Sequence, residues 1–391
     1  MNQKSTPNSS KRFEQPYNHS LNIKMYDSDN LYPNNLLLKI SDSPTASGCL
    51  ERYIDFIEGN GIRSKSLSSF EINDDRQTLD EVHSLVARDK GTFSGFALLV
   101  QYNIQCQPCG IYHYPFEQCR LEECDDKGNV AHIVVCPDWT GTLTRGGSRI
   151  STSRNVKRID VFNPDPEVVA AQIERAGGID KYLGQIYYYS DAGYLVYPKP
   201  KYDSGITDIS TDTGISNVMN RNVRSNFFTA GMIIYYENDI QDEDNVKYED
   251  NVKEDLAWQI QKLQGDTNTA NILAVGIQNP EEKPEFTEFS GHNFDKDFTA
   301  TTAAATERIY SKFGQEGWYC LRIGKIGFSG DLVNDIEREY SKRCRKDQRV
   351  ITKAYHAILS RFADGSLPEI PTLETLSIEP YSSITTQTAE L

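Results

Sequence analysis

A chain of 391 residues, 38% of them hydrophobic, is long enough for one elaborate core or two to three smaller ones. Its formal net charge of −15 makes it a poor candidate for gripping nucleic acid, which requires clustered Lys and Arg. Eight cysteines do not indicate a secreted disulfide scaffold in so long a chain, and no apolar run approaches the ~20 residues of a membrane helix. We therefore expect a soluble protein that is made in the cytosol.

The first half of the chain predicts α+β structure with local antiparallel pairing. Ser43 and Pro44 are start signals for a helix over Pro44–Glu58, and a second helix is predicted over Arg76–Lys90 and ended by Gly91. The other predicted elements are strands at Phe96–Tyr102, Ile111–Tyr114, Gln118–Glu122 and Ala131–Val135, a turn at Asp126–Asn129, a helix at Asp165–Ala176, and a hairpin pairing Gln185–Tyr189 with Tyr194–Tyr197.

Residues 214–313 predict two long helices that flank a small acidic insert. The first helix, Ile215–Ala230, has Thr213 and Gly231 as caps, and the second, Phe294–Phe313, keeps one apolar face along roughly 30 Å. The insert predicts a strand at Met232–Tyr236, a helix near Glu249–Leu263, a strand at Ile272–Val275 and an extended stretch at Pro284–Ser290. A compact insert at the end of two rods is a protrusion, and we expect it to meet a partner.

The C-terminal part begins with a Gly-rich stretch, Gly314–Gly330, and continues as a helical region, Asp331–Phe362. The middle of this region is basic, with cations at Arg338, Lys342, Arg343, Arg345, Lys346 and Arg349. Residues 1–20 and 363–391 have polar, Ser- and Pro-containing compositions that are typical of disorder.

Two runs of like charge each allow two interpretations. Residues 237–255 hold nine acidic residues and two lysines, either as a solvated surface or as a negative patch for a basic partner or for repelling DNA. The basic run 338–349 is the one candidate for a helix that contacts phosphates, although an exposed face paired with neighbouring acids explains it equally well.

Four cysteines form the best candidate metal site. Cys106 and Cys109 have the spacing of a zinc knuckle, and Cys119 and Cys124 follow as a looser pair. The alternative is a hairpin turn in which the cysteines are small apolar residues. The hypothesis of a zinc-binding interaction module therefore stays open at this point.

Signatures of catalysis are missing from the sequence. It contains no phosphate-binding G-x-x-x-x-G-K-[ST] loop, no G-x-S-x-G and no H-E-x-x-H. Six histidines are scattered, and His132 with Asp138 is the one grouping worth testing as an active site of unrecognised type. We expect no enzymatic activity and no cofactor.

The order of these elements resembles the portal proteins of tailed bacteriophages, in the compact form of the HK97-like group. The early helix and its Gly-rich turn (Leu50–Ile62), the strands of Gly91–Tyr102 and Ile111–Leu121, and the passage Gln185–Ala230 resemble the wing and the entry to its stem. Leu256–Val275 resembles the clip, Phe294–Phe313 the second stem helix, and Gly314–Ser329 the tunnel loop that follows.

The resemblance implies an α+β fold with an α/β wing, two long stem helices that flank a small α/β clip, and a short helical C-terminal region. The implied divisions are a disordered arm (1–20), the wing (21–212), stem helix 1 (213–230), the clip (231–290), stem helix 2 (291–313), the tunnel-loop region (314–330), wing or short crown helices (331–362) and a disordered tail (363–391).

The resemblance also implies a function without catalysis. Portals form rings, typically dodecameric, at one capsid vertex, through which double-stranded DNA is packaged and ejected. The implied partners are further copies of the chain, the large terminase subunit, the major capsid protein and a head–tail connector, with no membrane. The implied location is the virion, and the host cytoplasm during assembly.

Three sets of residues are the expected sites. The channel or stem set is Val218, Met219, Phe294, Phe298, Ile309 and Phe313. We expect the last four to pack against neighbouring subunits. The clip set for partner docking is Glu237, Asp242, Glu243, Asp244 and Trp258, and the set facing DNA is Arg338, Lys342 and Arg345.

Overall fold

The computed structural model describes residues 16–125, 129–142, 144–145, 148–149, 155–193, 195–224, 232–237, 272–277, 294–327, 329–363 and 365–381. At 144–145, 148–149, 221–224, 232–237, 272–277 and 294–297 only the backbone is described. Within these residues the chain mixes helices and sheets, which confirms the predicted α+β class. The predicted helix at 249–263, the extended stretch at 284–290 and the turn at 126–128 lie outside the described residues.

The helices account for most of the regular structure. They are α1 (Tyr32–Asp42), α2 (Pro44–Glu58), α3 (Lys65–Ser68), α4 (Leu79–Phe93), α5 (Pro166–Ala176), α6 (Ile206–Arg224), α7 (Phe294–Phe313), α8 (Glu316–Arg322) and α9 (Gly330–Leu359). The second predicted long helix, α7, has the predicted bounds. Helix α2 packs against α1, α4, α6, α7 and α9, so it is the centre of the helical layer.

The strands form one large sheet and three strand pairs. They are β1 (Tyr17–Asn18), β2 (Ile23–Lys24), β3 (Gly95–Tyr102), β4 (Pro108–Tyr114), β5 (Cys119–Leu121), β6 (His132–Val135), β7 (Thr144–Arg145), β8 (Ser148–Arg149), β9 (Lys157–Val161), β10 (Gln185–Ser190), β11 (Met232–Glu237) and β12 (Ile272–Ile277). The large sheet has the order β4-β3-β10-β9-β6-β5, and helix α4 packs on β3 and β4.

Local signals explain where α2 begins and ends. The Ser43 hydroxyl accepts a hydrogen bond from the Ala46 N–H at 3.1 Å, and Pro44 occupies the first turn, where its missing N–H costs nothing. Gly59 ends the helix with a φ of 66°, which a residue with a side chain adopts only at a cost. The predicted helix Pro44–Glu58 is confirmed.

Helix α4 starts and ends three residues later than predicted. Thr78 and Glu81 form a reciprocal capping box, so the first turn begins at Leu79 rather than at Arg76. Gly91 does not end the helix, because its missing side chain makes room for Ile54; an added Cβ would lie 2.8 Å from Ile54 Cγ1. The helix ends at Ser94, which takes a left-handed conformation.

The predicted hairpin between Gln185–Tyr189 and Tyr194–Tyr197 is wrong. Strand β10 pairs antiparallel with β3 on one side and parallel with β9 on the other. Both of its edges are therefore occupied, and residues 195–197 form a bend. The parallel pair also shows that the pairing in this half is not all local and antiparallel.

Helix α6 begins nine residues before the predicted start at Ile215. Thr213 does not cap it, because the Thr213 hydroxyl donates to the Ile209 carbonyl one turn back at 3.2 Å, inside the helix. Ile206 and Ile209 extend the buried side towards the N-terminus. The part of the prediction beyond Arg224 lies outside the described residues.

Both chain ends contain structure where disorder was predicted. Tyr17 and Asn18 pair with β2, and residues 374–381, which we call the strap, lie along the loop after α2. The Arg63 N–H donates to the Ser377 carbonyl and the Glu379 N–H to the Gly61 carbonyl, each at 2.9 Å. The strap has apolar residues that pack on the core, including the fully buried Leu376. The composition of the tail is polar on average, so it did not indicate these contacts.

The Gly-rich stretch predicted as a loop contains helix α8, and the helical region after it is one continuous helix, α9, of 30 residues. Trp318 and Tyr319 of α8 pack on the core, since an apolar aromatic surface is buried even where glycines surround it.

Candidate functional site: a helix pair rooted in the core

Helices α6 and α7 lie side by side in antiparallel directions. Arg308, near the end of α7, forms an ion pair at 3.3 Å with Asp208, near the start of α6. The ring of Phe313, the last residue of α7, stacks on Tyr202 just before α6 with centroids 4.6 Å apart. Because α6 has 19 residues, residues 225–293 leave the pair roughly 28 Å from this rooted end.

A buried ionic cluster lies at the root of the pair. The Asp347 carboxylate of α9 accepts hydrogen bonds from Lys90 at 2.8 Å, Tyr53 at 2.9 Å and Lys201 at 3.0 Å. Burial alone would raise the pKa of Asp347, but the ammonium groups of Lys90 and Lys201 outweigh burial and hold it below its usual value. The cluster joins α2, α4, α9 and the segment that leads into α6.

Gln315 fixes the end of α7 to the helical layer. Its side-chain amide donates to the Cys49 carbonyl at 2.7 Å and to the Tyr340 hydroxyl at 3.0 Å, and its carbonyl accepts from Arg52 at 2.8 Å. The Tyr340 hydroxyl in turn donates to the Phe313 carbonyl at 3.0 Å. All polar groups of this buried amide are thus satisfied, which favours one orientation of the helix end.

Asp212 ties α6 to the start of α2. It accepts hydrogen bonds from the Ser43 hydroxyl at 2.6 Å, the Thr45 N–H at 3.1 Å and the Thr45 hydroxyl at 3.1 Å. A buried carboxylate that accepts three donors stabilises the helix start that it faces. Both members of the pair are therefore fixed to α2.

A small cavity lies beside this root. It has a volume of about 170 Å³ and is lined by Tyr53, Lys201, Tyr202, Arg343 and their neighbours. Cavities that hold cofactors or drug-sized ligands are roughly 300 Å³ or larger, so this one fits an ordered solvent site better than a substrate.

The predicted stem residues separate into two groups. Ile309 and Phe313 are buried in this chain's own core, so the expectation that they pack against neighbouring subunits is wrong for these two. Phe298 and Val218 are half-buried, and Met219 is 52% exposed. Helix α7 is buried near its root and more exposed towards 299–304, because only the root reaches the core.

The predicted clip residues fall mostly outside the described chain. Glu237 is the last residue of β11, while Asp242, Glu243, Asp244 and Trp258 lie outside the described residues. Strands β11 and β12 pair in parallel with Met232 opposite Ile272, whereas a direct hairpin would be antiparallel. A parallel pair cannot be closed by a tight hairpin.

The three predicted phosphate contacts are all exposed on α9. Arg338 pairs with Asp335 at 2.7 Å and Lys342 pairs with Glu339, each three residues away on the same helix. Arg345 lies further along the exposed side of the helix. Two of the three cations are thus partly neutralised within the helix.

The predicted zinc site is contradicted by the strand order. Cys106 lies just before β4 and Cys109 at its start, whereas Cys119 lies in β5 and Cys124 after it. Strands β4 and β5 are the two edges of the six-stranded sheet, roughly 24 Å apart at the usual strand spacing. Within the described residues no group of three or more His, Cys, Asp or Glu is arranged to hold a metal ion.

His132 and Asp138 do not form an active site together. His132 Nδ1 lies 2.6 Å from Glu122 Oε2, at the start of β6. Asp138 follows the other end of β6 and accepts a hydrogen bond from the Thr140 N–H at 2.8 Å in a turn of its own. The two side chains therefore have separate structural roles.

The root cluster was missed in the sequence, although a signal for it exists. Lys90 follows Val82 and Val86 at intervals of four, on the buried face of α4. Asp347 likewise falls on the face of α9 that carries Cys344 and Ile351. A charged residue at a core position of a helix predicts a buried partner, but it does not say which one.

Comparison with known proteins gives structural similarity alone. No protein-family model matches the chain, and no curated protein matches it significantly. A chain in the virion of a native gene transfer agent particle is similar at 14% sequence identity and a TM-score of 0.47, over 91% of this chain and 84% of the other. A chain in the neck of a native gene transfer agent particle, computed with C12 symmetry, has 13% identity and a TM-score of 0.46 over 88% of this chain and 84% of the other. An HK97 family phage portal protein from Corynebacterium diphtheriae has 9% identity and a TM-score of 0.31 over 74% of this chain and 83% of the other.

The last of these is named for the class of protein that the sequence resembles. At these identities and TM-scores, the function has to be argued from the residues of this chain. Among the described residues, no helix is long and apolar enough to cross a membrane.

Proposed function

We propose that this protein is a portal: a ring, typically dodecameric, at one capsid vertex, through which double-stranded DNA enters during packaging and leaves during ejection. The observation that carries the proposal is the antiparallel pair α6 and α7, rooted in the core and continued by residues 225–293 at its far end. The proposed divisions are a wing from the large sheet and α1–α5, a stem from α6 and α7, and a clip from 231–290.

The rooting of the helix pair supports a role as a rigid channel wall. Gln315 and Asp212 join the pair to the central helix α2 and its start, and the Phe313 carbonyl accepts a hydrogen bond from Tyr340 of α9. A wall around a channel has to keep its orientation while DNA passes, and buried, fully satisfied polar contacts favour a single orientation.

The outer surface of the pair supports passage rather than grip. The exposed residues of α7 between 299 and 303 are threonines and alanines, and this stretch carries no charge. An uncharged surface on a chain with a net charge of −15 gives phosphates little to bind. DNA could therefore slide past it without sequence-specific contacts.

The clip is the proposed docking surface for the large terminase subunit and for a head–tail connector. Its acidic run offers a basic partner a negative patch, with Glu237, Asp242, Glu243, Asp244 and the aromatic Trp258 as the residues to test. The proposed location is the virion, with assembly in the host cytoplasm and contact with the major capsid protein at the wing.

Electron microscopy and native mass spectrometry of the purified full-length chain test this proposal. The expected result is closed rings of one stoichiometry with a central hole, alone or together with the major capsid protein. A chain that stays monomeric at micromolar concentration under both conditions contradicts the proposal.

A further inference from the structure

The exposed side of α9 carries a row of cations without partners in its own helix. Arg345, Arg349 and Lys353 are exposed and follow at intervals of four residues, so they lie along one side of the helix about 6 Å apart. Like charges at this spacing repel and destabilise the helix. No carboxylate among the described residues pairs with these three, which we call the cationic row.

Neighbouring cations of α9 differ in this respect. Arg338 pairs with Asp335, Lys342 with Glu339, and Lys346 with Asp191. The cationic row is therefore a distinct patch on a chain whose net charge is strongly negative.

Helix α2 carries the opposite arrangement. Glu51, Asp55 and Glu58 follow at intervals of four and three residues, the first two exposed and the third half-buried, and we call them the carboxylate row. Burial and the charges of Glu51 and Glu58 raise the pKa of Asp55. Arg88 pairs with Glu51 at 3.2 Å, and the Glu58 carboxylate accepts a hydrogen bond from the Ser84 hydroxyl, so two members of the row already have a partner on α4.

The two rows point away from each other. Helices α2 and α9 pack through Tyr53, which donates to Asp347, and through Phe56, whose ring lies 4.9 Å from that of Tyr340. Asp55 is about 200° around α2 from Tyr53, and Arg349 is about 200° around α9 from Asp347. Relative to the contact between α2 and α9, the carboxylate row and the cationic row thus form two edges that face in roughly opposite directions, with α4 packed beside the carboxylate row.

We infer that the cationic row of one subunit docks against the carboxylate row of the next copy of this chain. Opposite edges meet in a head-to-tail contact, which closes into a ring when the rotation permits. The rows have matching lengths of roughly 12 Å and 10 Å, and one contact relieves the like-charge repulsion on both sides. This inference rests on the proposed ring.

A nucleic-acid backbone is the competing occupant of the cationic row. It would neutralise the three cations but would leave the carboxylate row exposed to repulsion. A second copy satisfies both rows at once, so the arrangement favours it.

Charge reversal tests the inference in the full-length chain. One variant combines Arg345→Glu and Arg349→Glu, a second combines Glu51→Lys and Asp55→Lys, and a third carries all four changes. The matched control reverses two exposed cations elsewhere, Lys39→Glu and Lys65→Glu. Thermal unfolding first shows that each variant is folded, and electron microscopy with native mass spectrometry then counts rings.

We expect each two-residue reversal alone to lower the ring population by at least roughly tenfold, because like charges then face each other. The control should form rings as the wild type does. The four-residue variant should regain rings, since its edges are complementary again. In an even-membered ring, an equal mixture of the two reversed variants should do the same with alternating subunits.

Three results overturn the inference while the proposed function stands. The first is that both two-residue variants form rings at the wild-type level, and the second is that the four-residue variant does not regain rings. The third is that the variant with Arg345→Glu and Arg349→Glu keeps its rings but no longer binds a short DNA duplex, which assigns the cationic row to nucleic acid. A wild type that forms no rings under any condition removes the proposed function together with the inference.

Discussion

The most consequential residues of this chain are charged side chains that are buried among apolar ones. The side chains of Lys90 and Asp347 are each 1% exposed and 2.8 Å apart, and Lys201 adds a second ammonium from a half-exposed position. A buried charge is tolerated because its counter-charge and its hydrogen bonds replace the lost water. Removing one member of the buried pair is therefore expected to lower the free energy of unfolding more than removing an exposed ion pair does.

Asp347→Asn leaves the Lys90 ammonium buried without a counter-charge. We expect it to lower the free energy of unfolding by about 3–5 kcal/mol. Lys201→Met is the matched comparison, since Asp347 keeps Lys90, and its loss should be about 1 kcal/mol or less. Urea unfolding measures both, and equal losses would show that the buried pair is not the anchor.

His83 is buried on α4 and is expected to make the fold sensitive to acid. Its Nε2 lies 3.0 Å from the Glu58 carbonyl oxygen, and its ring meets Tyr355. Burial lowers the pKa of His83, although the Glu58 carbonyl partly opposes this. The unfolded chain consequently binds more protons than the folded chain just below the ordinary histidine pKa.

The free energy of unfolding should therefore fall as the pH drops from 7 to 5, with a contribution from His83 of at most about 1.4 kcal/mol per pH unit. His83→Gln keeps a donor for the Glu58 carbonyl but does not titrate, so its pH dependence should be shallower. Denaturant unfolding at several pH values gives both slopes. Parallel slopes for the two proteins would exclude His83 as a source of acid sensitivity.

At the scale of elements, the strap and α2 depend on each other. Gly59 ends α2 at a positive φ, and a Cβ there would lie 2.1 Å from the Glu379 carbonyl oxygen of the strap. Gly48 lies inside the same helix, and a Cβ added to it would meet no neighbouring atom within 4 Å. The two glycines thus have opposite expected responses to substitution.

Gly59→Ala should destabilise the protein by roughly 2 kcal/mol or more, from backbone strain together with displacement of the strap. Gly48→Ala should stabilise it by roughly 0.5–1 kcal/mol, because alanine is the better helix former and space is free. Thermal and urea unfolding measure the two effects. If Gly59→Ala lowers the free energy of unfolding by no more than the strain of the positive φ alone, the strap does not contribute to stability.

At the scale of the whole molecule, the strand order separates residues that are close in sequence. Cys109 and Cys119 are ten positions apart, yet they belong to opposite edges of a six-stranded sheet. The knuckle pair and the looser cysteine pair therefore cannot surround one zinc ion, which needs its ligands within tetrahedral reach.

The purified protein is therefore expected to contain far less than one zinc ion per chain. A chelator should leave its unfolding temperature unchanged, because no group of three or more His, Cys, Asp or Glu among the described residues is arranged to hold a metal ion. Elemental analysis and a melting curve with and without chelator measure these two quantities. Stoichiometric zinc with a chelator-dependent melting temperature would restore the four-cysteine hypothesis.

Elements with complete local signals could be predicted closely. Ser43, Pro44 and Gly59 define α2, α5 begins one residue after its predicted start at Asp165, and the apolar spacing of α7 reproduces its bounds. Predictions of a helix start or end that relied on one residue were less accurate. Gly91 lies inside α4 and Thr213 inside α6, since packing against α2 outweighs the local preference of a single residue.

The candidate site was predictable in outline and not in detail. The pair of long helices follows from periodicity, but the burial of Ile309 and Phe313 against Tyr202 depends on where the chain returns to the core. Periodicity identifies an apolar face without identifying its neighbour. The same reason explains why the root cluster was missed.

The sequence by itself determined the α+β class, most strands, and the helix–insert–helix order, because caps, turns and periodicity act over a few residues. The tertiary structure alone decided which distant residues meet: β10 between β3 and β9, Lys90 with Asp347 across 257 positions, and the strap along residues 59–64. These contacts depend on chain topology and on burial, which bring together groups that no local pattern relates.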